Sequence, residues 1–255
     1  MESGRLALLA GFALLLQACG SGQSGRVAAV PPANPPAAPA ATPDLTGVWK
    51  VAQPVDALMT STGQMPPLLP AALALYKQHR DAAAHGDHSW DPTTRCKPPG
   101  EPRTLWDMAW PFEIVQTKHR VEFLYQWNHL LRSVPLLPKQ QSFIGPFYFG
   151  QSVGQWQGNT LVVDVVGVNS DTYLDASGLP HSDAMHLTER FELDPGGNTL
   201  NATFHFEDPS TYSAPWDAHV QFVRQPAGSI QEDDCEVREH QESRYPVLPQ
   251  RLYPK

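Results

Sequence analysis

The sequence predicts a mostly β fold, an antiparallel β-barrel with one helix inserted near its N-terminal end. From about residue 111 onward, apolar and polar residues alternate with a period of two, the spacing that turns one face of a strand toward a core. Short turn sequences separate several of these segments, and the clearest helical pattern lies between residues 70 and 86. Strands joined by short turns pair antiparallel, and about eight of them are enough to close a small barrel.

The first 18 residues have the layout of a secretory signal peptide. Arg5 precedes the apolar run "LALLAGFALLL", which is shorter than the roughly 20 residues that a membrane-spanning helix needs. The run ends in "LQAC", residues 16–19, which resembles the lipobox of bacterial lipoproteins. This resemblance implies cleavage before Cys19 and lipidation of Cys19. Because Gly20 follows rather than aspartate, it also implies an outer-membrane anchor, with the globular domain in the periplasm or at the cell surface.

Residues 19–43 consist of the anchor cysteine followed by a stretch rich in proline and alanine. This stretch has too few large apolar side chains to offset the entropy cost of ordering it, so we expect a disordered linker. Extended proline-rich chain rises about 3.1 Å per residue, so the linker could hold the domain up to roughly 70 Å from the membrane. Residues 44–255 are then a single β-barrel domain, since no second linker interrupts them.

Charge and cysteine content restrict the partners. The formal net charge is -8 and no run of lysine or arginine could bind phosphates, which argues against nucleic acid. We expect contact with the membrane only through the lipid anchor, and no cofactor. With Cys19 lipidated, Cys96 and Cys235 remain in a compartment that permits disulfides, so the sequence favours a bridge between them over two buried thiols.

The elements follow in chain order. The helix is predicted over residues 70–86, "PAALALYKQHRDAAAHG", which is rich in alanine, begins with proline and ends with glycine. The turns "KH" at 118–119 and "PGGN" at 195–198 are short enough for hairpins. Strands are predicted over residues 44–51, 111–117, 120–127, 147–156, 159–168, 185–193, 199–207 and 218–225.

The first strand carries a resemblance to a known barrel family. Gly47-Val48-Trp49 is similar to the Gly-x-Trp that opens lipocalin-like (calycin-type) barrels, in which the tryptophan closes the barrel floor. The chain departs from that pattern by placing some sixty residues and a helix between the first strand and the second, where a lipocalin has a hairpin.

A longer set of motifs resembles a large family of secreted bacterial proteins without an assigned activity. It comprises "CKPPGEPR" (96–103), "PFEIVQT" (111–117), "GQSVGQWQGNTLVVD" (150–164), "GLPHSDAMHLTERF" (178–191) and "DPSTYSAPW" (208–216). The similarity covers roughly residues 46–240. This chain has Gln151, Gln157 and Asn159 where the family pattern has a histidine and two acids, so a role tied to those charges does not transfer.

The segment from Gly150 to Gly154 matches the G-x-S-x-G pattern of serine hydrolases, with Ser152 as the nucleophile. A nucleophile elbow needs a helix directly after the serine, whereas "QWQGNTLVV" continues as strand and turn. We therefore interpret these glycines as a bulge or a bend of the barrel.

A metal site is the next hypothesis. His181, Asp183, His186 and Glu189 lie close in sequence and are all capable ligands. On a regular strand, however, His186 and Glu189 point to opposite faces, which leaves too few ligands on either side, so we expect no metal. The second cluster, "HGDHSWD" at residues 85–91, is interpreted as a solvated loop.

Glu189 is informative because it interrupts an otherwise apolar strand face. A buried carboxylate must be paired or have a raised pKa. One interpretation is an ion pair with an arginine of a neighbouring strand, such as Arg120 or Arg224. The other is a carboxyl group facing an apolar cavity, where it could act as an acid or base. Asp164 poses the same alternative on its own strand.

The loop of residues 169–183 precedes the strand of Glu189 and brings further titratable groups to it. Asp175, His181 and Asp183 could lie over a barrel mouth, and His181 has a carboxylate two residues away. If the protein is an enzyme, His181, Asp183, Glu189 and Asp175 are the predicted catalytic residues. His181 is expected to be accessible, so that its replacement by alanine leaves stability nearly unchanged.

The function predicted from these features is the binding of a small apolar or aromatic molecule inside the barrel. The cavity is expected to be lined by Phe123, Tyr125, Phe204 and Phe222, whose rings fall on inward strand positions. The alternative is a metal-independent hydrolase, isomerase or lyase that acts on a hydrophobic substrate by histidine and carboxylate acid-base catalysis. A third alternative is a structural envelope protein with a filled barrel.

Overall fold

The computed structural model describes residues 42–107, 110–142 and 145–235. The predicted signal peptide, Cys19 and nearly all of the predicted linker lie outside these residues. Within the described ranges, no helix is both long enough and apolar enough to cross a membrane.

Nine antiparallel strands form one sheet that curls into a nearly closed barrel, which confirms the predicted fold class. The order across the sheet is β4-β3-β2-β1-β9-β8-β7-β6-β5, so almost every neighbouring pair is also consecutive along the chain. The strands are β1 (Gly47–Val51), β2 (Phe112–Gln116), β3 (Arg120–Tyr125), β4 (Leu131–Pro135), β5 (Gln151–Gln157), β6 (Thr160–Val166), β7 (His186–Leu193), β8 (Thr199–Glu207) and β9 (Trp216–Arg224).

The strands form where apolar residues alternate. In β8, for example, Leu200, Ala202, Phe204 and Phe206 are buried and their neighbours are not, so one face of the strand belongs to the core. The predicted turn between β7 and β8 is present, and the Asp194 carboxylate accepts hydrogen bonds from the backbone N–H groups that follow it.

Trp49 on β1 and Arg224 on β9 connect the first strand of the barrel to the last. Trp49 is fully buried on β1, and its Nε1 donates to the Leu45 carbonyl at 2.9 Å. The Arg224 guanidinium lies over the indole, 4.2 Å from the ring centroid. Gly47 makes this approach possible, because a Cβ at that position would collide with the guanidinium.

The helix and the disulfide connect the long segment between β1 and β2 to the rest of the domain. Helix α1 (Pro70–Ala84) matches the prediction closely, with proline at its start and Tyr76 and His79 on its buried face. Short 3-10 helices follow at Pro92–Arg95, Arg103–Leu105 and Trp127–His129. Cys96 and Cys235 form the predicted disulfide, with their Cα atoms 5.6 Å apart.

The sequence prediction missed β4, and this strand forms one side of the barrel seam. Within the described residues, the backbone pairing between the chain after β4 and strand β5 is limited to a short parallel bridge, Leu136 to Gly154. Gly154 lets the two strands approach, since a Cβ there would lie 2.9 Å from Val134 Cγ1 and 3.0 Å from Leu136 Cδ2. The seam is therefore closed near Leu136, whereas a crevice remains beside the first residues of β4.

Candidate functional site

A buried polar group, here named the Arg132 cluster, consists of Arg132, Glu189, Glu101, Tyr125 and Ser152. Arg132 Nη1 and Nη2 donate to Glu189 Oε1 and Oε2 at 3.2 and 2.8 Å. Nη1 also lies 2.9 Å from Glu101 Oε1, and Nε donates to Ser152 Oγ at 3.0 Å. Tyr125 Oη donates to Glu101 Oε2 at 3.1 Å. These contacts replace the water that buried charges would otherwise need.

The strand pattern brings these groups together from distant parts of the chain. Tyr125 on β3, Arg132 on β4, Ser152 on β5 and Glu189 on β7 all occupy buried positions of their strands. Glu101 comes from the segment before the 3-10 helix Arg103–Leu105 and is 1% exposed. The cluster thus spans the barrel seam from the inside.

Burial and crowding of acids control the protonation of the cluster. Burial raises the pKa of Glu101 well above its ordinary value; Arg132 opposes this shift, and the neighbouring Glu189 carboxylate adds to it. Burial thus favours the neutral form of Glu101. Burial likewise raises the pKa of Tyr125, with a further contribution from Glu101, so its hydroxyl remains a donor.

Glu189 therefore has an ion-pair partner, but neither of the two arginines that the sequence suggested. Arg120 pairs with Glu122 on the surface, and Arg224 covers Trp49. The partner is Arg132, which lies on the strand that the sequence analysis did not predict.

The opening beside the cluster, here named the seam crevice, has a volume of about 400 Å³. Its wall includes Leu131, Arg132, Pro146, Phe147, Phe149 and Ser152. Leu131 is 58% exposed and Phe147 is 47% exposed, so large apolar surfaces stand at its mouth. The crevice thus combines apolar walls with a buried polar floor, the composition typical of small-molecule sites.

Ser152 of the G-x-S-x-G segment lies on strand β5, with no helix after it, as the sequence interpretation expected. Its oxygen accepts from Arg132 Nε, and none of the described residues accepts its hydroxyl hydrogen. Ser152 is 6% exposed and lines the seam crevice. It can therefore donate a hydrogen bond to a molecule bound there.

His181 is buried, contrary to the expectation of an accessible loop histidine. Its exposure is 5%, its Nδ1 lies 3.1 Å from the Ser182 carbonyl and its Nε2 lies 3.0 Å from Thr172 Oγ1. The Ser182 carbonyl can only accept, so Nδ1 carries a hydrogen, whereas the single hydroxyl hydrogen of Thr172 lies between two acceptors, Nε2 and the Asn169 carbonyl. Burial lowers the pKa of His181, against smaller opposing effects of the Ser182 carbonyl and Asp208. The ring thus holds the loop in place.

The other predicted catalytic acids have separate partners. Asp175 is fully buried and accepts from the backbone N–H groups of Leu58, Ser177 and Leu179. Burial raises its pKa, against these hydrogen bonds. Asp183 accepts from the Ser170 N–H at 2.6 Å. His181, Asp175, Asp183 and Glu189 therefore serve four different sets of contacts instead of meeting at one reacting centre.

The four aromatic residues predicted to line a cavity are at most 2% exposed and lie in a packed core. Phe123 lies 5.5 Å from Phe191 between ring centroids, Phe204 lies 5.2 Å from Trp106, and Phe222 lies 5.1 Å from Phe112. Aromatic rings of other residues therefore occupy the space in which an open cavity was expected. Tyr125 differs, because Phe149 stacks on it at 5.5 Å and also lines the seam crevice.

Asp164, which the sequence presented as a second buried carboxylate, belongs to a chain of titratable groups on the outer barrel face. Asp164 contacts His186 Nε2, and His186 Nδ1 lies 3.2 Å from Glu207. Glu207 lies 3.7 Å from His205 Nε2, and His205 Nδ1 lies 2.7 Å from Asp217. The chain, here named the acid-histidine ladder, crosses strands β6 to β9. Its side chains are 37 to 48% exposed.

Among the described residues, no three histidine, cysteine, aspartate or glutamate side chains are grouped to hold a metal ion. His186 and Glu189 lie on opposite faces of β7, as the alternation predicted. In the "HGDHSWD" segment, the expectation of a solvated loop is wrong for Asp91. This side chain is buried, accepts from Thr93 N–H and pairs with Arg103 at 2.7 Å.

A scan of protein-family models finds no match to this chain, and a search of curated proteins finds none. The resemblance to secreted bacterial proteins therefore stays a prediction. The barrel is shown by the strand pairing described above, and helix α1 lies within the described residues.

Proposed function

We propose that the protein binds a small apolar or aromatic molecule in the seam crevice. The observation that carries this proposal is the crevice itself, in which Leu131, Phe147 and Phe149 surround a floor formed by Arg132 and Ser152. Its volume of about 400 Å³ lies within the range of small-molecule sites. This site replaces the interior cavity expected from the sequence, where aromatic rings are packed.

Binding is favoured over catalysis by the state of the titratable groups. The predicted catalytic residues have separate partners, and His181 has both ring nitrogens engaged. Phe147, by contrast, exposes nearly half of its surface at the mouth of the crevice. Covering this ring and Leu131 with a ligand removes apolar surface from water, which contributes about 25 cal/mol per Å² before the cost of association.

We also propose that the domain is tethered to the outer membrane through a lipidated Cys19, as its sequence motif implies. Replacing Cys19 by serine should then shift the protein from the membrane fraction to the soluble periplasmic fraction. Unchanged membrane association of that variant would contradict the anchor, without bearing on the binding site.

The binding proposal is tested with 2-acetylnaphthalene, a compact aromatic probe with its own fluorescence. Titration should show saturable binding, and Phe147→Ser should weaken it about tenfold, because a large part of the apolar wall is lost. The matched control is Met65→Ser, since Met65 is 49% exposed, close to the 47% of Phe147. Equal affinities for both variants and the original protein would refute the proposal.

A further inference from the structure

Building on the proposed function, we infer that the ligand is electrically neutral and carries a hydrogen-bond acceptor oxygen, such as a ketone, ester or amide carbonyl, and that the crevice discriminates against carboxylates. The inference is based on which polar groups of the crevice floor already have partners and which do not.

Among the described residues, Arg132 is the only cation that lines the crevice, and each of its nitrogens already contacts another residue. Nη1 and Nη2 bind the Glu189 carboxylate, Nη1 also contacts Glu101, and Nε binds Ser152. An arginine that recognises a bound anion needs free N–H groups in its fork. Three of the five guanidinium N–H groups therefore donate to Glu189 and Ser152, and a fourth faces Glu101.

A carboxylate ligand would also add a third acid beside a single base. Glu101 and Glu189 both contact the same guanidinium from within the barrel. Burial already favours the neutral form of Glu101, so the cluster has no spare positive charge to stabilise an incoming anion. The ligand carboxylate would lose its water without gaining a counterion, which makes its binding unfavourable.

On the floor formed by Arg132 and Ser152, the Ser152 hydroxyl is the group whose hydrogen remains available; Tyr148 and Asn169 also line the crevice. The Ser152 oxygen accepts from Arg132 Nε at 3.0 Å, so its hydrogen points away from that bond, and no described residue accepts it. A donor held by a charged neighbour at the floor of an apolar crevice selects an acceptor atom on the ligand. A neutral carbonyl oxygen supplies such an acceptor without the desolvation cost of a charge.

The walls select the remainder of the molecule. Phe149 stacks on Tyr125 with ring planes 7° apart, and Tyr125 in turn is held by its hydrogen bond to Glu101. The Phe149 ring is thereby fixed in orientation at the crevice wall. A planar, apolar group fits between this ring and the exposed surfaces of Leu131 and Phe147.

The test compares three probes of similar size on the mature protein: 2-acetylnaphthalene, 2-naphthoate and 2-ethylnaphthalene. We expect the ketone to bind more tightly than the hydrocarbon by about three- to tenfold, the effect of one net hydrogen bond. The carboxylate should bind at least about tenfold more weakly than the ketone at pH 7.5. Because this comparison uses the unmodified protein, it does not depend on the folding of any variant.

The role of the hydroxyl is tested separately by Ser152→Ala. In this variant the ratio of ketone affinity to hydrocarbon affinity should fall to about one. Ser210→Ala is the control, because Ser210 is an exposed serine on a loop outside the crevice. Retention of the full ketone preference in Ser152→Ala would overturn the inference.

The outcomes separate the two proposals. If the three probes bind and Phe147→Ser weakens all of them, but the carboxylate binds as tightly as the ketone or more tightly, the site is correct and the inferred ligand chemistry is wrong. If none of the probes shows saturable binding, the proposed function is wrong and the inference fails with it.

Discussion

Arg132 and Glu189 join the edge strand β4 to strand β7 across the inside of the barrel, through two hydrogen bonds of 3.2 and 2.8 Å. Their positions are 57 residues apart in the chain, and both side chains are at most 2% exposed. The ion pair therefore stabilises the side of the barrel where β4 and β5 meet, because backbone pairing there is limited to a short bridge.

Glu189→Gln should destabilise the domain strongly. The substitution keeps the shape of the side chain but leaves Arg132 with a weaker partner, and breaking one side of a buried ion pair costs about 3 to 5 kcal/mol. Chemical denaturation measures the change. The control is Glu192→Gln on the same strand, which is exposed and should alter stability by less than about 0.5 kcal/mol. A loss below about 1 kcal/mol for Glu189→Gln would show that Glu101 compensates fully for the missing charge.

His181→Ala should now lower stability, in contrast to the expectation from sequence alone. The variant loses the contacts with the Ser182 carbonyl and Thr172 and leaves a cavity, which together cost about 2 to 4 kcal/mol. Its affinity for 2-acetylnaphthalene should match that of the original protein once the variant is folded. His85→Ala, at an exposed position, is the matched control for stability. A fully stable variant that has lost binding would restore His181 as a site residue.

The acid-histidine ladder should make stability depend on pH. Burial lowers the pKa of His186, but the hydrogen bond and charge of Asp164, with smaller contributions from Glu207, outweigh it and raise the pKa above its ordinary value. A raised folded-state pKa stabilises fully below the unfolded value, near 6.5, and this contribution disappears as pH rises through the folded value. Because His186 is 40% exposed, we expect a contribution below about 1 kcal/mol.

His186→Gln tests this dependence. Denaturation midpoints should be measured from pH 5.5 to 9. The original protein should have a higher midpoint than the variant at the acidic end, and this difference should shrink toward the alkaline end. His205 and Asp217 continue the ladder and should not be substituted in these experiments. His205 contacts Glu207, the residue that also contacts His186, and Asp217 contacts His205. A difference that grows with rising pH would contradict the assignment.

Removing the disulfide should lower the melting temperature markedly. The bridge from Cys96 to Cys235 closes a loop of 139 residues, and native bridges of this kind contribute about 2 to 5 kcal/mol. The double variant Cys96→Ser/Cys235→Ser avoids a reactive single thiol, and calorimetry of the oxidised and reduced original protein is the companion measurement. Two free thiols titrated in the unfolded, unreduced protein would refute the bridge.

The strands could be predicted from the sequence more fully than the site could. Eight strands were predicted because apolar alternation marks them, as in β8, and Glu189 stood out as a carboxylate on an apolar face. Strand β4 was missed because only Val134 is an apolar residue at its two buried positions; the other is Arg132. The signal that could have found it was the alternation in "LRSVP" together with the need of Glu189 for a cation.

Contacts between distant segments could not be predicted from local patterns. The crevice arises because the chain of β4 approaches β5 near Leu136 and not along its first residues. The alternation of apolar residues in a sequence does not indicate how far apart two strand edges lie. The burial of His181 depends on Gly100, which lets the chain pack directly on Thr172, and on Asp208, which accepts from Ser182 N–H. A polar loop sequence alone does not distinguish a solvated turn from one held in this way.

The Arg132 cluster also determines the register of the edge strand. Side chains of a strand alternate between its faces, so sliding β4 by one residue would turn Arg132 outward and bring Leu131 and Ser133 inside. Glu189 would then be buried without its ion-pair partner, which costs about 3 to 5 kcal/mol. We expect Arg132→Met, which keeps the length of the side chain without its charge, to allow such slippage. Faster amide hydrogen exchange in β4 and β5 than in β7 and β8 would reveal it, and unchanged protection in β4 would show that the short bridge at Leu136 holds the alignment alone.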